Sequence, residues 1–329
     1  MIIVQTPLRI SLLGGNTDFA DFYLKHGGAV LTTAIDKYIY CIITDRLDSD
    51  IYVNWSKKEI AQSVGQVEHD LVREALKKTG VKGGVEITFL SDIPSKTSGG
   101  SGLGSSSSVT VGVLNALYHY TGQIPTVEQL ATEAVEIEVS RLQKPIGIQD
   151  QYIAAYGGLR FFEFGENGRV KQEKLPISNG SLEDLDNSLM LFYTHRMRKS
   201  SDILTAVKKN IPQKIKTLLA TKELAYEGKK AVLSGNIAQL GLLLDQYWQL
   251  KKSLSKNISD TEIDLFYQKA KKAGAIGGKI VGAGGGGFML LVVPSGKRQL
   301  VRNALVNFAE MPFHLERDGS KVIFNVRRY

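Results

Sequence analysis

An α+β protein of two domains is the fold class this sequence predicts, and three observations predict it. The chain has 329 residues, 43% of them hydrophobic, enough to bury a large core and more than one domain ordinarily holds. Its first half mixes strand-like and helical segments around a loop of glycine and serine at 99–108. Its second half opens on one strand, runs through a series of long helices, and returns to strands through a glycine run at 282–287.

In order, residues 2–13 read as a strand, broken by Pro7 and resumed by Leu8 to Leu13, before a tight polar turn, Gly14-Gly15-Asn16-Thr17-Asp18. Asp36–Thr44 and Asp50–Trp55 read as further strands, while Val67, Leu71, Val72, Ala75 and Leu76 mark one face of a helix. Gly84–Leu90 alternates like a strand. After the loop, Val109–Tyr120 is apolar enough for a buried helix, and a second helix runs from about Val127 to Ser140 before Lys144-Pro145-Ile146-Gly147 stops it. Short strands follow, with glycine turns at Gly157-Gly158 and at 165–168. The polar stretch opening at Asn179 marks the approximate domain junction, giving domains of 1–182 and 183–329. Beyond it come strand Leu189–Thr194, helices near 201–210, 213–234, 236–254 and 260–273, strand Phe288–Val293, a helix at 297–308 and two closing strands. No internal repeat is evident.

Composition narrows the function. The net charge of +8, from 41 basic and 33 acidic residues, suits an anionic partner, but the charges are dispersed and do not single out nucleic acid. Cys41, the single cysteine, lies in an apolar run and reads as a core thiol. No run reaches 18 apolar residues and no signal pattern opens the chain, so the expectation is a cytoplasmic protein with no membrane partner. Oligomeric state is not legible.

The loop carries the clearest chemistry. Four glycines in the six positions 99–104 let the backbone approach a ligand, and the serines at 105–108 fall where a helix start leaves N–H groups unpaired. With the helix dipole, and with Lys96 in reach, this is a cradle for anions, nucleotide phosphates above all. A flexible linker has similar composition, yet linkers are not clamped between a strand and an apolar helix. No lysine follows Gly104 as a Walker loop requires, and the histidine-arginine-aspartate and Asp-Phe-Gly signatures of protein kinases are absent.

Three segments together resemble a known family. Pro7-Leu8-Arg9-Ile10-Ser11-Leu12-Leu13-Gly14-Gly15-Asn16-Thr17-Asp18 is similar to the first motif of the GHMP kinases, named for galactokinase, homoserine, mevalonate and phosphomevalonate kinases. Gly102-Leu103-Gly104-Ser105-Ser106-Ser107 is similar to their second motif, and Lys279 to Gly287 to their third. Three motifs in the right order span nearly the whole chain.

The resemblance implies an N-terminal domain like the second domain of ribosomal protein S5, a ferredoxin-like C-terminal domain, and ATP phosphates held between them. It assigns ATP binding to Gly100, Ser101, Gly102, Leu103, Gly104, Ser105, Ser106 and Ser107 together with Lys96. It gives Mg²⁺ to Ser106 and to Glu138, which precedes Asp150 by twelve residues as in galactokinase-like members. Asp150 matches the aspartate that orients the attacking hydroxyl and takes its proton, and Arg9 the arginine beside it. In a loose transition state proton removal comes late, so orientation outweighs basicity. Without the family, Ser106 reads equally as a helix cap, Asp150 reads first as an N-cap, Arg9 reads as a surface ion pair, and Gly284 and Gly285 read first as a tight turn.

For the acceptor, Asp18 matches a sugar-binding aspartate, while Gly15 and Asn16 replace the glutamate and histidine of galactokinases. That departure makes galactose a poor candidate and admits an anionic substituent. Gly284 and Gly285 are placed by the resemblance against the acceptor. The basic turn Thr194-His195-Arg196-Met197-Arg198-Lys199-Ser200 offers Arg196 and Arg198 to a substrate phosphate, or is an ordinary solvated surface. The resemblance is greatest to family members that phosphorylate the anomeric hydroxyl of a heptose 7-phosphate, which implies a sugar phosphate acceptor. A fucose-type kinase of unphosphorylated sugar and a non-catalytic nucleotide or nucleic-acid binder are the alternatives. Trp55 is either a core residue or a neighbour of adenine.

Overall fold

A computed structural model describes residues 1–93, 101–196 and 198–326. In chain order its elements are β1 (Ile2–Leu13), α1 (Ala20–His26), β2 (Gly28–Asp45), β3 (Ile51–Asn54), β4 (Lys58–Ala61), α2 (Asp70–Thr79), β5 (Val85–Ser91), α3 (Ser105–Tyr120) and α4 (Val127–Val135). A π-helical turn, Glu136–Arg141, extends α4. There follow α5 (Gln149–Tyr156), β6 (Leu159–Phe164), β7 (Val170–Lys174), α6 (Asn179–Ser188), β8 (Leu189–Tyr193), α7 (Ser200–Asn210), α8 (Ile215–Leu233), α9 (Ile237–Lys252) and α10 (Thr261–Lys272). The chain then runs through β9 (Gly277–Ile280), β10 (Phe288–Val292), α11 (Arg298–Ala304), β11 (Ala309–Glu310), β12 (Leu315–Glu316) and β13 (Lys321–Asn325). Among the described residues no helix is long and apolar enough to cross a membrane.

Two sheets organise these elements. The larger runs β13-β1-β2-β5-β3-β4, with β6 and β12 also on β2 and β7 on β6; the smaller runs β11-β8-β10-β9. One apolar cluster joins the first sheet to α2, α3, α4 and α5 through residues such as Val72, Leu114, Ala134 and Phe162. A second joins its other face to α8, α9 and the smaller sheet through Leu31, Phe161, Leu244 and Leu290. A third packs the far face of the smaller sheet on α7 and α10, around Trp248, Phe192 and Phe266. The smaller sheet and the β1–β2 part of the larger are thus covered on both faces, while β3, β4 and β7 keep one face open to solvent.

Several expectations shift. β1 is continuous through Pro7, with a change of register against β2 between Pro7 and Leu8. β2 begins at Gly28 rather than Asp36: Gly28–Ile35 is buried on both faces, so it lacks the alternation that marks a half-exposed strand. The stretch from Asn179 is a helix, capped by Ser178, whose hydroxyl accepts from the Ser181 N–H. Three short strands, not two, close the chain, and β12 and β13 pair with β2 and β1 of the first sheet. Trp55 is 43% exposed and donates to Glu59, so it is no core residue, whereas Cys41 is fully buried in the first core.

The closing strands bear on α5, the helix of Asp150. The Ser320 N–H donates to the Ala154 carbonyl at 2.9 Å. A Cβ on Gly319 would lie 1.9 Å from the Ala155 carbonyl oxygen, and one on Gly157 within 2.0 Å of the Asp318 backbone. Backbone therefore lies directly on backbone. Gly319→Ala should cost about 1–3 kcal/mol of stability through overpacking, read as a lower urea midpoint at constant slope.

Candidate active site

Arg9 lies inside β1 and is 6% exposed. Its Nε donates to Asp150 Oδ1 at 2.7 Å and its Nη2 to Oδ2 at 2.5 Å, while Nη1 donates to the Gly102 carbonyl. The Arg9 backbone N–H donates to the Leu103 carbonyl at 3.0 Å. One side chain thus ties the strand, the glycine loop and the first turn of α5 together. A Cβ on Gly104 would come within 3.0 Å of Arg9 Cγ, and Gly104 has φ of +79°, so both space and backbone call for glycine there.

The polar turn after β1 docks on the start of α5. Asp18 Oδ1 accepts from the Asn16 N–H at 3.0 Å and Oδ2 from the Gln149 N–H at 3.1 Å. A Cβ on Gly147 would meet Asp18 Oδ2 at 2.0 Å, so the two turns close only over a glycine. Arg9, Asn16, Asp18 and Asp150 line one cavity, along with Gly15. The expected acceptor residues of the first motif and the expected catalytic pair therefore share one space.

The loop and helix start behind this cavity carry the second group. Gly102 and Gly104 both have positive φ, and α3 begins at Ser105. Ser106 Oγ donates to Glu138 Oε2 at 3.3 Å, and Gln151 Nε2 donates to Oε1 at 3.1 Å. Glu138 is fully buried, and burial pushes its carboxyl up. Its sequence neighbours differ: Glu133 accepts from Tyr118 Oη at 2.6 Å, and Glu136 pairs with Lys78 at 2.5 Å and Arg141 at 2.6 Å. Of the three glutamates, Glu138 is the one that burial and the serine together suit to a cation. The Ser107 hydroxyl is buried with no hydrogen-bond partner. Ser101 Oγ accepts from the Leu103 N–H. Lys96 and Gly100 lie outside the described residues.

The third motif contributes differently from expectation. Gly282 and Ala283 line the cavity, whereas Gly284 and Gly285 do not. They turn against Ile258, whose carbonyl accepts from the Gly285 N–H at 2.8 Å. Gly282 meets the phosphate-loop candidate backbone to backbone, since a Cβ on it would lie 2.4 Å from Gly102 Cα. Arg196 and Arg198 stand apart from the cavity, converging on Asp260 at 2.7 Å and 3.3 Å, with Glu262 as a second partner of Arg196.

Sequence reasoning assigned no role to five further residues. Lys279 lines the cavity, 1% exposed, with Nζ 4.7 Å over the Tyr247 ring. Burial, then the cations Lys251 and Arg9, hold its amine well below its ordinary range. Lys251 donates to the carbonyls of Ile280 at 2.9 Å and Gly282 at 2.5 Å, and burial brings it down to about 7. Ser11, Gln149 and Tyr247 complete the walls. Lys279 opens the third motif, Ser11 lies within the first and Gln149 adjoins Asp150, so these three were open to notice; Tyr247 and Lys251 are marked by nothing local.

Comparison with known proteins agrees with this layout. Residues 67–158 match the model of the GHMP kinases N terminal domain and residues 229–310 that of the GHMP kinases C terminal domain. The chain is 33% identical over 320 residues to D-glycero-α-D-manno-heptose 7-phosphate kinase of Campylobacter jejuni, covering 92% of each. It is 26% identical over 352 residues to galactokinase of Pyrococcus furiosus, covering 93% of this chain and 92% of that one. The crystal structure of a D-glycero-D-manno-heptose 1-phosphate kinase from Bacteroides thetaiotaomicron matches over the whole of both chains, at 26% identity and a TM-score of 0.82. These likenesses define a two-domain phosphotransferase of mixed α and β structure. The chain belongs to the GHMP kinase family.

Burial pushes the Asp18 carboxyl up to about 6, with Asp150 adding to the shift and the Gln149 N–H opposing it. Its folded value lies above the ordinary 3.8, so its ionisation opposes folding, and stability is lost as pH rises through about 6. Relative to an Asp18→Asn variant, the wild type should lose about 2–3 kcal/mol between about pH 4 and pH 8, measured by urea unfolding at each pH.

Proposed function

We propose that this kinase transfers the γ-phosphoryl group of ATP to the anomeric hydroxyl of D-glycero-D-manno-heptose 7-phosphate, giving the 1,7-bisphosphate for nucleotide-activated heptose and surface glycans. The observation that carries the reading is the Arg9–Asp150 pair. It stands where the glycine loop, through Gly102, meets a cavity that also holds Asp18. Likeness to the Campylobacter jejuni enzyme over nearly the full chain supports the acceptor.

In this mechanism Asp150 orients the sugar hydroxyl, whose oxygen forms a bond to the γ-phosphorus as the bond to the β,γ-bridging oxygen breaks and ADP leaves. The hydroxyl proton passes to the Asp150 carboxylate. Because both Asp150 oxygens are engaged by one guanidinium, the carboxylate is fixed in direction, which positions the nucleophile before transfer. Arg9 supplies positive charge beside the moving phosphoryl group, and the Lys279 amine is a hydrogen-bond donor lining the same cavity. Lys96, Gly100 and residues 101–107, with the N-terminus of α3, hold the nucleotide phosphates.

A Mg²⁺ ion fits the residues present. Glu138 is a buried carboxylate with no ion-pair partner within 4.0 Å among the described residues, and the Ser106 hydroxyl is turned to it. Among the same residues no cluster of three acidic, histidine or cysteine side chains occurs; Mg²⁺ asks for few protein ligands and keeps several waters. Bound by Ser106 and Glu138, the ion would neutralise triphosphate charge.

Asp18, Asn16 and Gly15 receive the sugar. The 7-phosphate is assigned to Arg196 and Arg198, whose guanidiniums a dianion would draw from Asp260, with Gly284 and Gly285 shaping the adjoining turn: a Cβ on Gly285 would lie 3.1 Å from Arg198 Cδ.

ADP release should be measured with D-glycero-D-manno-heptose 7-phosphate, the corresponding 1-phosphate, the free heptose, fucose and galactose. The 7-phosphate is expected to give the highest kcat/KM, by about 100-fold over any unphosphorylated sugar, and preference for another acceptor refutes the assignment. Asp150→Asn should lower kcat by about 10²–10⁴ while leaving ATP affinity within about twofold. Arg196→Ala and Arg198→Ala should raise KM for the sugar phosphate far more than for ATP; equal small changes would remove them from that role.

A further inference from the structure

Two buried polar atoms of the cavity wall have no partner. Ser11 is 4% exposed and Gln149 8% exposed, and both line the cavity. Neither Ser11 Oγ nor Gln149 Oε1 makes a hydrogen bond. Unmade bonds of this kind are costly in a closed interior, so such atoms ordinarily have a partner.

The space beside them is made by Gly15. A Cβ there would lie 2.9 Å from Tyr247 Oη, 3.4 Å from Ser11 Oγ and 3.6 Å from Gln149 Nε2, so polar atoms ring the room that a side chain would fill. Tyr247 Oη already donates its proton to the Gly15 carbonyl at 3.1 Å, which leaves it only lone pairs to offer. The Asp18 carboxylate likewise only accepts. Acceptors thus gather here, at Tyr247 Oη, the Asp18 carboxylate and Gln149 Oε1, beside the Lys279 amine over the Tyr247 ring.

We infer that Ser11, Gln149 and Tyr247 determine acceptor specificity by receiving neutral vicinal hydroxyls of the sugar in the room left by Gly15. A hydroxyl can donate to Gln149 Oε1 while accepting from Ser11. The reacting oxygen is thereby turned to Asp150, which lines the same cavity. The inference rests on the sugar-kinase reading above and deepens it.

Ser11→Ala and Gly15→Ala test it, with thermal stability, KM for the sugar and KM for ATP as readouts. Ser11→Ala removes an unpaired buried hydroxyl, so the free protein should keep or raise its Tm while KM for the sugar rises about tenfold and KM for ATP stays put. Gly15→Ala, which fills the room without needing an unusual backbone, should raise KM for the sugar at least as much, and it keeps the test open should the first variant fold poorly. An unchanged KM for the sugar in both variants, or equal rises for sugar and ATP, overturns the inference. If the wild type prefers an acceptor other than heptose 7-phosphate, the substrate assignment falls and the same comparison is made with the preferred sugar, so the two readings fail separately.

Discussion

The buried guanidinium of Arg9 is the constraint on which the site depends. Removing a cation from water inside a strand is costly, and only close, well-directed partners offset it. Asp150 supplies two bonds and the Gly102 carbonyl a third. Each partner belongs to a different segment, so satisfying one charge fixes the mutual placement of β1, the glycine loop and α5. The arrangement is better understood as a device for geometry than as a source of net stability, because a buried pair roughly balances its own desolvation.

Around that pair the backbone does most of the rest. Gly102 and Gly282 touch through atoms that any side chain would separate. Lys251 clamps the carbonyls on either side of Val281, holding the third-motif turn against the loop. Three buried ionisable groups, Arg9, Lys279 and Asp18, share the cavity, each in surroundings poor in water. Burial that raises Asp18 and lowers Lys279 makes both responsive to the arrival of an oppositely polarised ligand.

What could be read in advance followed from locality. The glycine and serine loop stands out within a dozen residues, and motif resemblance singled out Arg9, Asp18 and Asp150, which the fold brings to one cavity although the bond linking Arg9 to Asp150 spans 141 positions. The unread parts are those in which burial erases pattern. Gly28–Ile35 shows no alternation because neither face meets water, and the π-helical turn that presents Glu138 has no signature distinct from the helix it extends. Ser11, Gln149, Tyr247 and Lys251 acquire meaning only through contacts across the fold. The basic turn at 196–198 read as free charge, yet Asp260 and Glu262, some sixty positions on, already answer it.

The pairing of β13 with β1 has a consequence for how the chain reaches this shape. One hydrogen-bonding edge of β1, at Ile2–Gln5, is covered by β13, which follows every other strand of both sheets in the sequence. On the ribosome that edge stays bare until β13 has emerged, so the first sheet cannot close in step with translation. Sealing it is a contact of very large sequence separation, which places completion of the catalytic half among the last events of folding and leaves an unpaired strand for other chains to find in the interval.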